Sequence, residues 1–145
     1  MHDDLTATAN ITIHASLAKV WDALINPELI KRYMFGATVV SDWKQGSPII
    51  WKGEWKGKPY QDKGVILELK PPSRLRYSHF SPLSGVPDAP ENYHNVTIDV
   101  SAVSERDGQV RVDLSQDNNK TEQARDESQR NWGMMLAGLK KVVEG

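Results

Sequence analysis

Hydrophobic and polar residues alternate with a period of two along most of the chain, and this pattern predicts a β-rich protein. Pro71 and Pro72 end one of the alternating segments, because proline cannot donate a hydrogen bond to a neighbouring strand. The predicted strands are 6–14, 37–41, 48–55, 60–69, 75–80, 96–102 and 110–114, and turns are predicted at 44–47, 56–59 and 105–108.

Two short helices are predicted between the first and second strands. Leu17, Val20 and Trp21 begin a run of apolar residues at helical spacing, and Ser16 precedes it as a capping residue. An Asn-Pro-Glu sequence at 26–28 starts the second helix, since proline suits the first helical turn and an acid favours the helix N-terminus.

The longest helical pattern covers residues 121–145, where a helix of about 24 residues would be roughly 36 Å long. Asn119 and Glu122 have the spacing of a capping box at its start. Its apolar stripe contains Ala124, Ser128, Trp132, Met135, Leu136, Leu139, Val142 and Val143. One long helix laid across a curved antiparallel sheet encloses a pocket, so the pattern predicts a binding cavity.

The order of elements predicts an α+β architecture in which the helices pack on one face of an antiparallel sheet. The length of 145 residues suits one domain, and we expect it to span residues 1–145. The sequence contains no internal repeat and no linker rich in glycine, serine or proline that would divide it.

Composition and charge exclude several classes of protein. The net charge is −1, so we expect no nucleic-acid partner. There is no cysteine, which excludes disulfides, cysteine nucleophiles and cysteine-based zinc sites. Residues 1–10 lack the pattern of a signal peptide, and no apolar run reaches the about 18 residues of a membrane span. We therefore expect a soluble, cytoplasmic protein.

Several segments resemble bacterial proteins of the SRPBCC (START-related) superfamily, in the branch similar to the activator of the heat-shock chaperone ATPase. They are DWKQGSPIIWKGEW at 42–55, PPSRLRY at 71–77, PDAPENYHNVT at 87–97, SQDN at 115–118 and the Asn131-Trp132 pair. The resemblance implies a helix-grip (START-like) fold, with a seven-stranded curved antiparallel sheet around the long C-terminal helix and two short helices between strands 1 and 2. It carries over no catalytic motif and no cofactor.

Aromatic residues are numerous for a small core, and packing explains any single ring well. Rings from the middle strands and the long helix are nevertheless placed where the helix-grip fold opens its cavity. The candidate cavity residues are Tyr33, Trp51, Trp55, Tyr77, Phe80, Tyr93, Trp132, Met135 and Leu136.

Candidate catalytic groups are few. His79 and His94 flank the 81–92 segment, but no third ligand at a recognisable spacing accompanies them, so we expect no metal site. As a general base, His79 would need a partner to orient it, and its parity with Leu75 and Tyr77 points towards the inner face. The chain has no Gly-x-Ser-x-Gly motif, and the sequence favours a protein that is not an enzyme.

Three functional hypotheses follow. The leading one is non-covalent binding of a small hydrophobic or amphipathic molecule, with 81–92 as a mobile lid. The second is a co-chaperone-like interaction module that acts in the stress response through its surface. The third is a cyclase or dehydratase, which requires a histidine or carboxylate facing the cavity. Both a monomer and a homodimer agree with the near-neutral charge and exposed strand edges.

Overall fold

The computed structural model describes residues 5–104 and 108–145, apart from the side chains of Trp55, Ser84 and Ser104. The turn predicted at 105–108 therefore lies outside the described residues, except for Gly108. The strands are β1 (Ala7–His14), β2 (Thr38–Ser41), β3 (Pro48–Trp55), β4 (Lys58–Lys70), β5 (Arg74–His79), β6 (His94–Ser104) and β7 (Gln109–Gln116). The helices are α1 (Leu17–Ile25), α2 (Pro27–Tyr33) and α3 (Glu122–Glu144).

The strands form one antiparallel sheet in the order β1-β7-β6-β5-β4-β3-β2. Helices α1 and α2 connect β1 to β2, and α3 packs against the inner face of the curved sheet. The predicted α+β helix-grip fold is confirmed. Among the described residues, no helix is both long enough and apolar enough to cross a membrane.

The period-two pattern produces the core directly, because alternate residues of each strand face α3. On β6 and β7 the buried residues occupy every second position and meet the apolar stripe of α3. These buried residues are Val96, Ile98, Val100, Val110, Val112 and Leu114 on the strands, and Met135, Leu136, Leu139 and Val143 on the helix.

The start of α3 differs from the prediction. Thr121 is the capping residue, and its hydroxyl oxygen accepts a hydrogen bond of 3.0 Å from the backbone N–H of Ala124. Asn119 is buried instead, and its amide donates to the carbonyl oxygens of Leu5 (2.8 Å) and Gln116 (3.1 Å). The predicted capping box of Asn119 and Glu122 is wrong, because Asn119 ties the end of β7 to the chain before β1.

The β3–β4 turn is shorter than the predicted 56–59 turn. Only Lys56 and Gly57 lie between the strands, with φ angles of 51° and 80°. Two positive φ angles in a two-residue loop match the twist of the strands that it joins. The segment 81–92 also holds two short 3-10 turns, Pro82–Ser84 and Pro90–Asn92, where the sequence predicted no regular structure.

The backbones of β4 and β5 lie close together at Gly64. A Cβ atom at this position would overlap the carbonyl oxygen of Ser78, so only glycine fits without a shift of the backbone. Two residues further along β4, the register with β5 shifts between Ile66 and Glu68.

We expect Gly64→Ala to lower the free energy of unfolding by about 1–3 kcal/mol, because overpacking forces the backbones of β4 and β5 apart. Gly133→Ala is the matched control, since Gly133 lies within α3 with nothing within 4 Å of its added Cβ. That variant should raise the free energy of unfolding by about 0.5–1 kcal/mol. Urea unfolding curves measure both values, and equal changes in the two variants would contradict the role given to Gly64.

Candidate functional site

Four neighbouring strands carry a polar residue in their inward rows at the same end of the sheet. On β4, Asp62 has the parity of buried Ile66, and on β7 Gln116 continues the buried row that includes Leu114. His79 of β5 and His94 of β6 are direct cross-strand partners. The apolar inner face therefore ends in a polar belt, which consists of Asp62, His79, His94 and Gln116.

The first half of α3 leaves space above this polar belt. The buried residues of the helix begin at Met135. Of the earlier positions of its stripe, Ala124 and Ser128 are small, and Trp132 is half-buried and lines the space. The space is a cavity of about 480 Å³. Its apolar lining is Met34, Phe35, Val86, Trp132 and Met135, and its polar lining is the polar belt with Ser81, Asn92, Lys120, Ser128 and Asn131.

His79 and Asp62 form a hydrogen-bonded pair in the cavity wall. The Nε2 atom of His79 lies 2.9 Å from the Oδ2 atom of Asp62, and their side chains are 27% and 15% exposed. The ring of Trp51 packs against the His79 ring at a centroid distance of 5.0 Å. Among the described residues, Oδ1 of Asp62 is the buried side-chain oxygen or nitrogen atom without a hydrogen-bond partner.

His94 is held by a backbone contact. Its Nδ1 atom lies 2.9 Å from the carbonyl oxygen of Asp117, and its ring centroid lies 6.4 Å from that of His79. Burial lowers the pKa of His94, and the neighbouring His79 lowers it further. His94 is therefore a neutral imidazole at neutral pH.

A smaller cavity of about 80 Å³ lies beside the His79–Asp62 pair and extends between Trp51, Tyr60 and Tyr77. Burial and the Asp62 carboxylate raise the pKa of Tyr60, and burial raises the pKa of Tyr77. Both phenols therefore stay protonated at neutral pH and supply hydroxyl groups near the pair.

The 81–92 segment forms one side of the cavity and is tied down by Asp88. The Asp88 carboxylate forms an ion pair with Lys63 and accepts a hydrogen bond of 2.7 Å from the Tyr93 hydroxyl. Hydrogen bonds from Lys63 and then from Tyr93 lower the pKa of Asp88. At the end of the segment, Lys120 and Asn118 donate to the carbonyl oxygen of Glu91.

Two of the nine candidate cavity residues, Trp132 and Met135, line the cavity of about 480 Å³. The indole N–H of Trp132 donates to the side-chain oxygen of Gln116, which fixes this ring in the wall. Tyr33, Trp51 and Tyr77 lie deeper, around a void of about 20 Å³. The Tyr33 hydroxyl donates to the carbonyl oxygen of Ala23 at 2.7 Å.

Leu136, Phe80 and Tyr93 line neither the cavity of about 480 Å³ nor the void of about 20 Å³. Leu136 is buried in the core, and Phe80 is buried with its ring stacked on Tyr93 at 5.1 Å. The side chain of Trp55 lies outside the described part of the structure. As ligand contacts, all nine residues stay predictions.

Asp62, Met34 and Phe35 are lining residues that the sequence pattern does not predict. A charged residue on the inward parity of a strand was the available signal for Asp62, since Gly64 and Ile66 follow it at steps of two. No periodic signal marks Phe35, which follows α2 with a φ of 56° and is 74% exposed. Among the described residues, no cluster of three or more histidine or acidic side chains is placed to bind a metal.

We expect His94 to make stability depend on pH. Its pKa in the folded protein lies below the value of 6.5 for a free histidine, so the unfolded chain binds more protons as the pH falls below neutrality. The stability of wild-type protein should therefore decrease between about pH 7.5 and about pH 5.5, and His94→Gln should show a smaller decrease. Urea unfolding at both pH values measures the two slopes, and equal slopes would contradict the lowered pKa.

Comparisons with solved structures place the chain among proteins of the same fold. ChR145 from Cytophaga hutchinsonii is 58% identical, with a TM-score of 0.84 over 99% of this chain and 97% of that one. The Aha1 dimer from Colwellia psychrerythraea is 20% identical, with a TM-score of 0.73 over 96% of each chain. PFC0360w, an HSP90 activator from Plasmodium falciparum, is 13% identical, with a TM-score of 0.75 over 96% of each chain.

The last two likenesses concern the fold alone, and no curated protein matches the chain. The model of the family described as Activator of Hsp90 ATPase homolog 1-like protein matches residues 14–144. Because this match covers nearly the whole chain and agrees with the SRPBCC resemblance of its motifs, the protein belongs to the Activator of Hsp90 ATPase homolog 1-like family.

Proposed function

We propose that the protein binds a small amphipathic molecule in the cavity between the polar belt, the 81–92 segment and α3. The observation that carries the proposal is the cavity of about 480 Å³ with both an apolar and a polar lining. Ligand sites in proteins typically enclose about 300–1,000 Å³ and combine apolar walls with a few convergent polar groups. The cavity has both properties.

The two linings set the orientation of the ligand. Trp132 and Met135 offer an aromatic ring and an adaptable thioether to the apolar part. His79 and His94 lie at the opposite wall, on the sheet, where they suit a polar group that donates hydrogen bonds. The deeper Trp51 and Tyr77 would support the ligand through the smaller adjoining cavity.

The 81–92 segment would act as the lid of this site. Val86 and Asn92 line the cavity, and the ion pair of Asp88 with Lys63 would hold the segment closed over a bound molecule. Exchange of the ligand would then require this exposed ion pair to open, which costs little because solvated pairs are weak.

Contact with a chaperone is the second candidate, and family membership favours it. The exposed Phe35 ring beside the cavity mouth would serve as part of a contact surface, either for a chaperone or for a second copy of the chain.

If this candidate is right, the protein should raise the ATPase rate of Hsp90, and Phe35→Ser should reduce that effect.

We expect native mass spectrometry of the purified protein, followed by extraction, to detect a retained hydrophobic or amphipathic molecule. Val86→Trp should reduce its occupancy, because a larger side chain at the mouth occupies the cavity. Val103→Trp is the matched control. Val103 is also exposed, but it lies at the opposite end of β6 from the cavity residue His94. Equal occupancy in the two variants would contradict the proposed location. If the wild-type mass is clean and a lipid and aromatic panel leaves Tm unchanged, the binding proposal fails.

A further inference from the structure

Binding alone does not account for the His79–Asp62 pair. A carboxylate that is only 15% exposed loses most of its hydration, and its Oδ1 atom has no compensating hydrogen bond among the described residues. Such a group costs free energy that an apolar or amide side chain of similar size would not. An unsatisfied buried carboxylate oxygen beside a histidine therefore indicates a catalytic role for the pair.

The hydrogen bonds assign the protons of both imidazole rings. A carboxylate only accepts, so Nε2 of His79 carries the hydrogen that Asp62 receives, and in the neutral ring the lone pair is on Nδ1. A carbonyl oxygen also only accepts, so His94 carries its hydrogen on Nδ1 towards Asp117. Both residues line the cavity, and in its neutral form each ring has a second nitrogen that can accept a proton.

We propose that His79 is a general base that removes a proton from a molecule bound in the cavity, with Asp62 as its positioning residue. The proposal rests on ligand binding in the same cavity. The substrate class is an amphipathic molecule with an acidic C–H next to a carbonyl or imine group. Asp62 holds the tautomer that leaves Nδ1 free and stabilises the imidazolium that forms.

The reaction step needs no further reactant. The C–H bond breaks, its proton moves to Nδ1 of His79, and its electron pair moves into the neighbouring C=O or C=N group. The imidazolium then returns the proton to the same molecule. If the substrate has a C=C bond at its β,γ position, the proton adds to the γ-carbon and the double bond moves into conjugation, which gives an isomer. If the substrate has a hydroxyl group on its β-carbon, the proton goes to that oxygen, the C–O bond breaks and a C=C bond forms, which gives water and an alkene.

The proposed base is His79 and not His94, because only His79 of the two has a carboxylate partner. His94 contacts a backbone carbonyl, which lacks the full negative charge that stabilises an imidazolium. The other titratable side chains that line the two cavities beside His79 are Tyr60 and Tyr77, which stay protonated, and Lys120 on the chain after β7. The lining from α3 is uncharged, namely Ser128, Asn131, Trp132 and Met135.

The probe for this base is 5-nitrobenzisoxazole, a compact apolar bicycle. Removal of its C3 proton breaks the ring N–O bond and gives 2-cyano-4-nitrophenolate, whose absorbance is followed directly.

We expect the wild-type protein to accelerate this reaction and His79→Gln to lose about 100-fold or more of the acceleration, the usual range for general base catalysis. His14→Gln is the matched control, since exposed His14 lies at the end of β1 that pairs with Gln109, far from Gln116. A wild-type rate equal to that of His79→Gln would overturn the proposal.

The role of Asp62 is tested by a spectroscopic signature. In ¹⁵N-labelled wild-type protein, the imidazole nitrogen shifts of His79 should be those of the Nε2–H tautomer. Asp62→Asn should give a mixture of tautomers and a rate lowered by about 10-fold or more, because an amide both donates and accepts. An Nδ1–H tautomer in the wild-type protein would overturn the assignment without any variant.

Binding and catalysis are separated with 5-nitroindazole, which has the shape of the probe but cannot undergo the elimination. If 5-nitroindazole shifts the indole N–H resonance of Trp132 while the probe reacts no faster than in His79→Gln, the general base fails and the cavity proposal stands. If 5-nitroindazole does not bind, the general base also fails, because a cavity of about 480 Å³ has room for this bicycle. The mass-spectrometric test of the proposed function is unaffected by that outcome.

Discussion

The fold depends on how far the apolar stripe of α3 extends along the helix. From Met135 onwards most of the stripe is buried against the inner face of the sheet, whereas the earlier positions Ala124 and Ser128 carry small side chains that are half-buried. Hydrophobic burial is therefore concentrated in the second half of the helix, where each large side chain contributes about 1.5–3 kcal/mol. The cavity is the space between the sheet and the first half of α3, where the helix continues across the sheet but its small side chains do not fill the gap.

The composition of the inward rows of the sheet follows this geometry. Where α3 packs closely against the sheet, these rows carry valine, isoleucine and leucine. Where α3 leaves the cavity open, the same rows carry Asp62, His79, His94 and Gln116. Each of the four has a hydrogen-bond partner for at least one side-chain atom. Asp62 and His79 pair with each other, His94 pairs with the carbonyl of Asp117, and Gln116 pairs with the indole of Trp132. Polar groups at the edge of a core are tolerated when they are paired in this way.

Much of the architecture was predictable, because the alternation along the strands and the spacing in α3 are local properties of the sequence. The belt was not recognised, although the parity of Asp62 with Ile66 contained the signal, because isolated acids on strands usually face solvent. The positions of His79 and His94 on either side of the 81–92 segment indicate that the two could come close, but their direct pairing depends on the strand register, which local pattern does not give. The capping box predicted at Asn119 and Glu122 fails for a related reason. The Asn119 amide donates to the carbonyl oxygen of Leu5, which is distant in the sequence.

The separation of the polar belt from the packed half of the molecule has an evolutionary consequence. Side chains at the belt contact one another and the cavity, while the tightly packed layer of β6, β7 and the end of α3 supplies the stability. Substitutions at the belt would therefore alter the chemistry of the cavity but lower the free energy of unfolding only a little, and loss of stability is what limits most mutations. Related chains with the same scaffold are free to diverge in ligand and activity while they retain one folding core, which makes the belt the place to compare them.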